Sequence, residues 1–135
     1  MSKTISVDII TPQRTVYSGQ VISFTAPGVE GLFQILFNHA PFLSALSVGP
    51  MKLKTEDNQT IKFATSGGFA HILQNRITVL AETAERGDSI DIARAQEAKK
   101  RAEERLASKN EMNDDERARI ALLRAINRLK IAGAL

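Results

Sequence analysis

The sequence predicts an all-β plus α fold: an N-terminal antiparallel β-sandwich (residues 1–86) followed by a C-terminal antiparallel hairpin of two α-helices (residues 87–135). Apolar and polar residues alternate with a period of two in several short runs before residue 80, which is typical of half-buried strands. All four prolines lie before residue 51, and only two of the eight glycines lie after residue 86. The first 86 residues carry 13 charges and the last 49 carry 20, so the composition changes near residue 87.

The composition excludes several classes of function. The 135 residues contain no Cys, which excludes a disulfide framework and a thiolate metal site. No apolar run approaches the roughly 20 residues of a membrane span, and no N-terminal signal pattern is present, so we expect a cytoplasmic protein that reaches a membrane only through a partner. The net charge of +3 argues against nucleic acid. The two histidines, His39 and His71, and the lack of a phosphate-binding loop argue against an enzyme.

The strands are predicted by the alternation itself, and turn-forming residues separate them. Short strands at this spacing favour an antiparallel sandwich over βαβ units. About 85 residues is enough for a small two-sheet core. The alternating runs are residues 4–10, 21–26, 33–37, 51–54, 61–63 and 77–79, and the predicted turns are residues 27–31, 56–59, 66–68 and 74–75.

Residues 37–50, FNHAPFLSALSVGP, do not alternate cleanly and have a proline near each end. They predict a long loop with a possible helical turn. The loop is unusually apolar, with Phe42, Leu43 and Leu46 among its residues. Two explanations remain open: the loop plugs one end of the sandwich, or it contacts a partner, because exposed apolar patches usually mark interfaces.

The predicted hairpin begins at Asp91, whose carboxylate suits the N-cap of a helix that runs to about Ser108. Asn113, followed three residues later by Glu116, predicts the start of a second helix that ends near Gly133. The first helix is lined mainly by alanines, which bury little apolar area each. We therefore expect a marginally stable hairpin that can open.

Arginines form a stripe along each predicted helix. If the two helices fold antiparallel about residue 111, the two stripes face each other. Asp91 is the only carboxylate in either stripe, and one alanine in each stripe leaves space for a ligand. Juxtaposed guanidinium groups repel, so a closed hairpin favours an anion between them, and phosphate matches the guanidinium fork. The alternative is an ordinary solvated face in which Glu97 and Glu104 pair with Arg101. The stripes comprise Asp91, Arg94, Ala98, Arg101 and Arg105 on the first helix, and Arg117, Ala121, Arg124 and Arg128 on the second.

Several segments in order, PGVEGLFQIL, NHAPF, SGGFAHI and VLAETAERGDSIDIARA, are followed by the charged tail. Together they resemble the epsilon subunit of bacterial F-type ATP synthases over essentially the whole chain, most specifically at residues 79–95. The resemblance implies a sandwich of about ten strands, two helices and a place in the central rotor stalk of a proton-translocating synthase. It implies gamma and the c-ring as partners, a peripheral position on the cytoplasmic face of the cell membrane, and no catalysis by this chain.

The resemblance also implies which residues face the c-ring. The loop around NHAPF and the preceding turn place Glu30 and His39 as ring-contact candidates, which favours the partner explanation of the apolar loop. A lone His in such a loop is alternatively structural. The sequence departs from the family pattern here, because Phe37 and Asn38 precede His39 where Pro-Gly or Pro-Asn is common. The acid that often follows the second Gly of GxEG is Leu32.

In the family, the helical tail is regulatory. Folded, it permits ATP hydrolysis; extended, it reaches the beta and alpha subunits of the catalytic head and blocks hydrolysis, for which Arg117, Arg124, Arg128 and Lys130 are the contact candidates. Some bacilli-like members bind ATP in the folded form through I(L)-D-x-x-R-A, which residues 90–95 match. The Mg²⁺ requirement stays open, and a purely structural rotor part without nucleotide sensing is the alternative. The expected ATP-binding residues are Glu85, Ile90, Asp91, Arg94, Ala95, Arg101, Arg124 and Arg128, and no metal site is expected.

Overall fold

The alternation at the start of the chain becomes a strand whose two faces differ in burial. Ile5, Val7 and Ile9 are buried, while the residues between them are half-buried. The structure, a computed structural model, describes residues 3–108 and 115–135 and divides into two compact units, Met1–Arg86 and Gly87–Leu135. The described part of the first unit has strands Ile5–Ile10 (β1), Thr15–Val21 (β2), Ser23–Gly28 (β3), Gly31–Ile35 (β4), Phe42–Lys54 (β5), Thr60–Leu73 (β6), Arg76–Ala81 (β7) and Ala84–Arg86 (β8).

The strands are hydrogen-bonded in the order β2-β1-β7-β6-β5-β3-β4, and β8 pairs with the first part of β6. Every described pairing is antiparallel except β1 with β7, which is parallel. The long strands β5 and β6 pair from Phe42 opposite Ile72 to Lys54 opposite Thr60, so they contribute to both parts of the sheet. Most buried side chains of the first unit form one hydrophobic core. The predicted class, a β-sandwich followed by two helices, is confirmed.

About ten strands were expected, and the described residues form eight, of which β5 and β6 are long and continue through bends. Two details of the strand prediction are wrong. Most of residues 37–50 is strand, since β5 begins at Phe42. The predicted turn at residues 66–68 lies inside β6. The alternation of β5 was hidden because buried positions shift from even numbers (Leu46) to odd numbers (Met51, Leu53) in the stretch where its pairing with β3 shifts register.

The other turns agree with the prediction, and several contain residues with left-handed backbone. Residues 29–30 join β3 to β4. Gln74 and Asn75, with φ of 49° and 60°, join β6 to β7, as expected for a two-residue type I′ hairpin turn. Asn58, with φ of 63°, lies in the β5–β6 turn.

The second unit contains a short 3-10 turn, Gly87–Ser89, and two helices, Ile92–Ala107 (α1) and Asp115–Ile131 (α2). The second helix ends at Ile131, close to the expected Gly133, whose φ is 77°. The N–H of Ala134 donates to the carbonyl of Leu129 (2.8 Å), and that of Gly133 to Lys130 (3.1 Å), which is a Schellman cap. The predicted N-cap at Asn113 lies outside the described residues.

The residues buried on the two helices are mainly alanines, together with Leu129 on α2. The connection between them is short, which places them antiparallel. The buried alanines are seven residues apart on each helix, Ala95 and Ala102 on α1 and Ala118 and Ala125 on α2. Equal spacing lets alanine face alanine along what we call the alanine seam. None of the described helices combines the length and apolarity that crossing a bilayer requires.

The bend of β6 depends on Gly68. Its φ is +127°, and a Cβ there would lie 2.0 Å from the carbonyl oxygen of Leu80. Gly31 has a similar φ, +131°, but open space around it. We expect Gly68→Ala to lower the free energy of unfolding by about 3 kcal/mol or more, and Gly31→Ala by only about 1–2 kcal/mol of backbone strain. Urea denaturation measures both, and equal losses would contradict the close approach of β6 and β7.

Candidate functional site

The hairpin site begins at the N-cap of α1. Asp91 has extended backbone (φ −77°, ψ 99°), and its carboxylate oxygen Oδ1 accepts a hydrogen bond from the backbone N–H of Arg94 (3.1 Å). This satisfies one of the N–H groups that have no partner within the helix. The predicted capping role of Asp91 is therefore confirmed. The cap also fixes Arg94 in the first turn of α1, next to the acid.

Two arginines of α1 immediately precede the buried alanines of the seam. Arg94 and Arg101 precede Ala95 and Ala102 on α1, and both arginines are exposed. One residue corresponds to a rotation of about 100° around a helix. The guanidinium groups of α1 therefore flank the alanine seam on one side.

The second helix repeats this arrangement. Arg117 and Arg124 precede the buried Ala118 and Ala125, and Arg128 precedes the buried Leu129. Because the two helices run in opposite directions and face each other, the same offset from the seam brings both arginine stripes to the same side of the hairpin. The structure therefore supports the predicted facing stripes. Arg119 follows Ala118 instead, which puts it on the opposite side.

Three of these arginines have no acidic partner among the residues that the structure describes. Across residues 3–108 and 115–135, the guanidinium groups of Arg94, Arg101 and Arg124 have no ion pair. The alternative pairing of Arg101 with Glu97 or Glu104 is thus not formed among the described residues. The depression lined by Arg101, Glu104, Arg105 and Ser108 is wide open to solvent. The stripes form an open basic surface, which suits an anion that closing helices would enclose.

The remaining predicted ATP-site residues differ in accessibility. Ile90 and Ala95 are buried, so any contact with a ligand would be through their backbone or the edge of the side chain. Arg128 is half-buried and has a partner within the protein. Glu85 is half-buried on β8, in the first unit. Of the predicted inhibitory residues, Arg117, Arg124 and Lys130 are exposed on α2.

The two predicted ring-contact residues are both exposed on the first unit. Glu30 lies in the β3–β4 turn, where the neighbouring Val29 N–H donates to the carbonyl of Ala45 on β5 (3.0 Å). His39 lies in residues 36–41, which link β4 to β5, and its ring packs edge-on against Phe42 at a centroid distance of 5.9 Å. Both turns are therefore attached to the first residues of β5.

A separate apolar face, which the alternation did not predict, lies on the outside of the sheet. Leu43, Phe69 and Leu80 are 55–67% exposed, and Leu73 is 44% exposed. Leu43 pairs with His71, and Phe69 pairs with Leu80, so they occupy neighbouring rows of β5, β6 and β7. The sequence does indicate this face in the segments FAHIL and VLA. There, large apolar residues occur at the positions that face outward as well as at those that face the core.

Two family models together match nearly the whole chain. The ATP synthase delta/epsilon chain beta-sandwich domain matches residues 4–87, and the delta/epsilon chain long alpha-helix domain matches residues 88–133. The chain belongs to the ATP synthase delta/epsilon family. Membership confirms the sequence-based recognition of an epsilon-type chain and its class as a non-catalytic subunit.

Relatives and solved structures agree with this assignment. The chain is 48% identical to the ATP synthase epsilon chain of Desulforamulus reducens, over 98% of this chain and 99% of the relative. It is 47% identical to that of Nitratidesulfovibrio vulgaris, over 98% of each. Its fold is similar to a chain of the Euglena gracilis mitochondrial ATP synthase, with a TM-score of 0.72 at 18% identity over 99% of this chain and 80% of that one.

Proposed function

We propose that this epsilon-type subunit of the ATP synthase complex is a rotor-stalk component whose helical hairpin senses ATP and brakes ATP hydrolysis. The observation that carries the proposal is the placement of both arginine stripes on one side of the alanine seam. Arg94, Arg101 and Arg124 are exposed there without ion pairs among the described residues. A closed hairpin gathers these charges around phosphate oxygens, and an extended one separates them.

A ligand shifts a conformational equilibrium only through a difference in affinity between the two states. Each charge-assisted hydrogen bond contributes roughly 1.5–3 kcal/mol net. Two or three such bonds, present only in the closed hairpin, are enough to reverse an equilibrium of a few kcal/mol. The carboxylate of Asp91 keeps oxygen acceptors for the base or ribose beside its capping bond to Arg94.

Braking follows from the other state of the hairpin. When ATP is scarce, the helices separate, and the basic residues of α2 become free to contact acidic groups of the catalytic head. Arg117, Arg124, Arg128 and Lys130 are the residues proposed for that contact. Some of the same arginines then serve both states, so that binding ATP and inhibiting hydrolysis exclude each other.

The sandwich supplies the attachment to the rotor. The apolar outer face defined by Leu43, Phe69, Leu73 and Leu80 suits a permanent protein partner, since monomeric proteins rarely expose such patches. We assign it to the gamma subunit, and assign the turns with Glu30 and His39 to the c-ring. These contacts would hold the subunit at the cytoplasmic face of the cell membrane without insertion, within a proton-translocating synthase.

Isothermal titration of the full chain with ATP tests the binding site. We expect Arg94→Ala and Arg124→Ala each to weaken ATP binding by roughly ten- to a hundredfold, because each removes a charge-assisted hydrogen bond. Asp91→Asn isolates the charge of Asp91, since Asn caps a helix as well as Asp does.

The matched control is Arg119→Ala, which removes the same charge from α2 on the opposite side of the seam. It should leave ATP affinity within about twofold of the wild type. Unchanged affinity in the Arg94 and Arg124 variants would remove the site assignment. Equal weakening of ATP binding in the Arg94, Arg124 and Arg119 variants would show that only the net charge of the hairpin matters.

Deletion of residues 88–135 tests the brake. In the assembled enzyme, the truncated subunit should support a higher rate of ATP hydrolysis than the full chain, because no helix remains to enter the head. The rates are compared at low ATP concentration, where the hairpin is expected to be open. If the truncated and full-length subunits gave identical rates of ATP hydrolysis, the chain would have a purely structural function in the rotor.

A further inference from the structure

Two loops at the His39 end of the sandwich hold each other through asparagine side chains. The backbone N–H of Asn38 donates to Oδ1 of Asn75 (2.6 Å), and Nδ2 of Asn75 donates to Oδ1 of Asn38 (3.1 Å). Their φ values are 63° and 60°, in the left-handed region that Asn tolerates better than most residues. This reciprocal pair, the Asn38–Asn75 clamp, joins the β4–β5 link to the β6–β7 turn.

The clamp is anchored in the sheet. The carbonyl of Asn75 accepts a hydrogen bond from the N–H of Ser6 on β1 (3.0 Å). On the other loop, the N–H of His39 donates to the carbonyl of Leu36 (3.1 Å), closing a turn around Asn38. The position of His39 is therefore set by the sheet through Asn75.

The ring of His39 has a defined hydrogen-bonding direction. Its Nδ1 lies 2.8 Å from the carbonyl oxygen of Ala40, and a carbonyl only accepts, so Nδ1 carries a proton. In the neutral ring, Nε2 is then the acceptor. The side chain is exposed, which leaves Nε2 accessible to a partner.

We propose that the Asn38–Asn75 clamp makes the two loops one docking surface, in which Nε2 of His39 accepts a hydrogen bond from a donor on the partner. The partner is the c-ring, through an amide, hydroxyl or cationic side chain that donates to Nε2, and the exposed Leu36 and Phe37 supply apolar contact beside it. The inference rests on the proposed ring contact of His39. It adds Asn75 as a positioning residue and adds the β6–β7 turn to the contact surface.

Two measurements on the full chain and the complex test this inference. Side-chain ¹⁵N NMR of the full chain reports which nitrogen of His39 is protonated, and titration of synthase membranes stripped of this subunit reports rebinding. We expect Asn75→Ala to lower the Nδ1–H population and to weaken rebinding roughly three- to tenfold, the equivalent of one lost hydrogen bond. Gln74→Ala, at the neighbouring left-handed turn position, should change neither. His39→Phe, which keeps the contact with Phe42, should weaken rebinding to a similar extent.

The outcomes separate the clamp from the ring contact. An unchanged protonation pattern in Asn75→Ala, or equal effects of Gln74→Ala, overturns the positioning role of Asn75. A changed pattern with full rebinding of both Asn75→Ala and His39→Phe overturns the ring contact itself, and the inference with it. Weaker rebinding of His39→Phe with an unaltered Asn75→Ala variant keeps the ring contact and overturns the clamp.

Discussion

The contact between the two helices through alanines determines what the rest of the second unit can do. A buried alanine contributes about 0.8 kcal/mol of apolar burial, so the four alanines of the seam hold α1 and α2 together only weakly. The residue before each alanine is an arginine, so closure also brings like charges together. Two such charges about 8 Å apart in water repel by roughly 0.5 kcal/mol. The four alanines together contribute about 3 kcal/mol, which exceeds the repulsion of a single arginine pair. An anion bound between the arginines would remove that repulsion and add attraction in the closed hairpin alone.

The first unit, unlike the hairpin, is held together by an extensive apolar core. Its core is fully buried, and its long strands bend where Gly67 and Gly68 adopt a φ that side chains rarely allow. Because β5 and β6 bend without ending, this strand pair connects the two halves of the sheet directly. The loop with His39 is fastened to that sheet by the Asn38–Asn75 clamp. The proposed functions divide in the same way, with attachment to the rotor in the first unit and ATP sensing in the second.

The sequence predicted the features that follow from local periodicity and capping. Alternation placed the strands, and Asp91 and Gly133 placed one end of each helix. Glycine was misleading at residues 66–68, because positive φ bends a strand as readily as it makes a turn. Most of β5 was not predicted, because the buried positions change from even to odd numbers after Leu46 and the alternation is broken there. Strand order and the clamp depend on residues distant in the chain, which periodicity does not report. The arginine stripes were predictable because helix geometry alone fixes their side of the seam.

The central claim is that ATP closes the hairpin, and a distance between the helices tests it most directly. The chain has no Cys, so Lys100→Cys and Arg119→Cys would be its only sites for spin labels, which are attached before the subunit is assembled into the enzyme. Both positions are exposed, and neither belongs to an arginine stripe. In the assembled enzyme, pulsed electron spin resonance should give one short distance with saturating ATP and a second, longer population without it. An identical distribution with and without ATP would contradict the account.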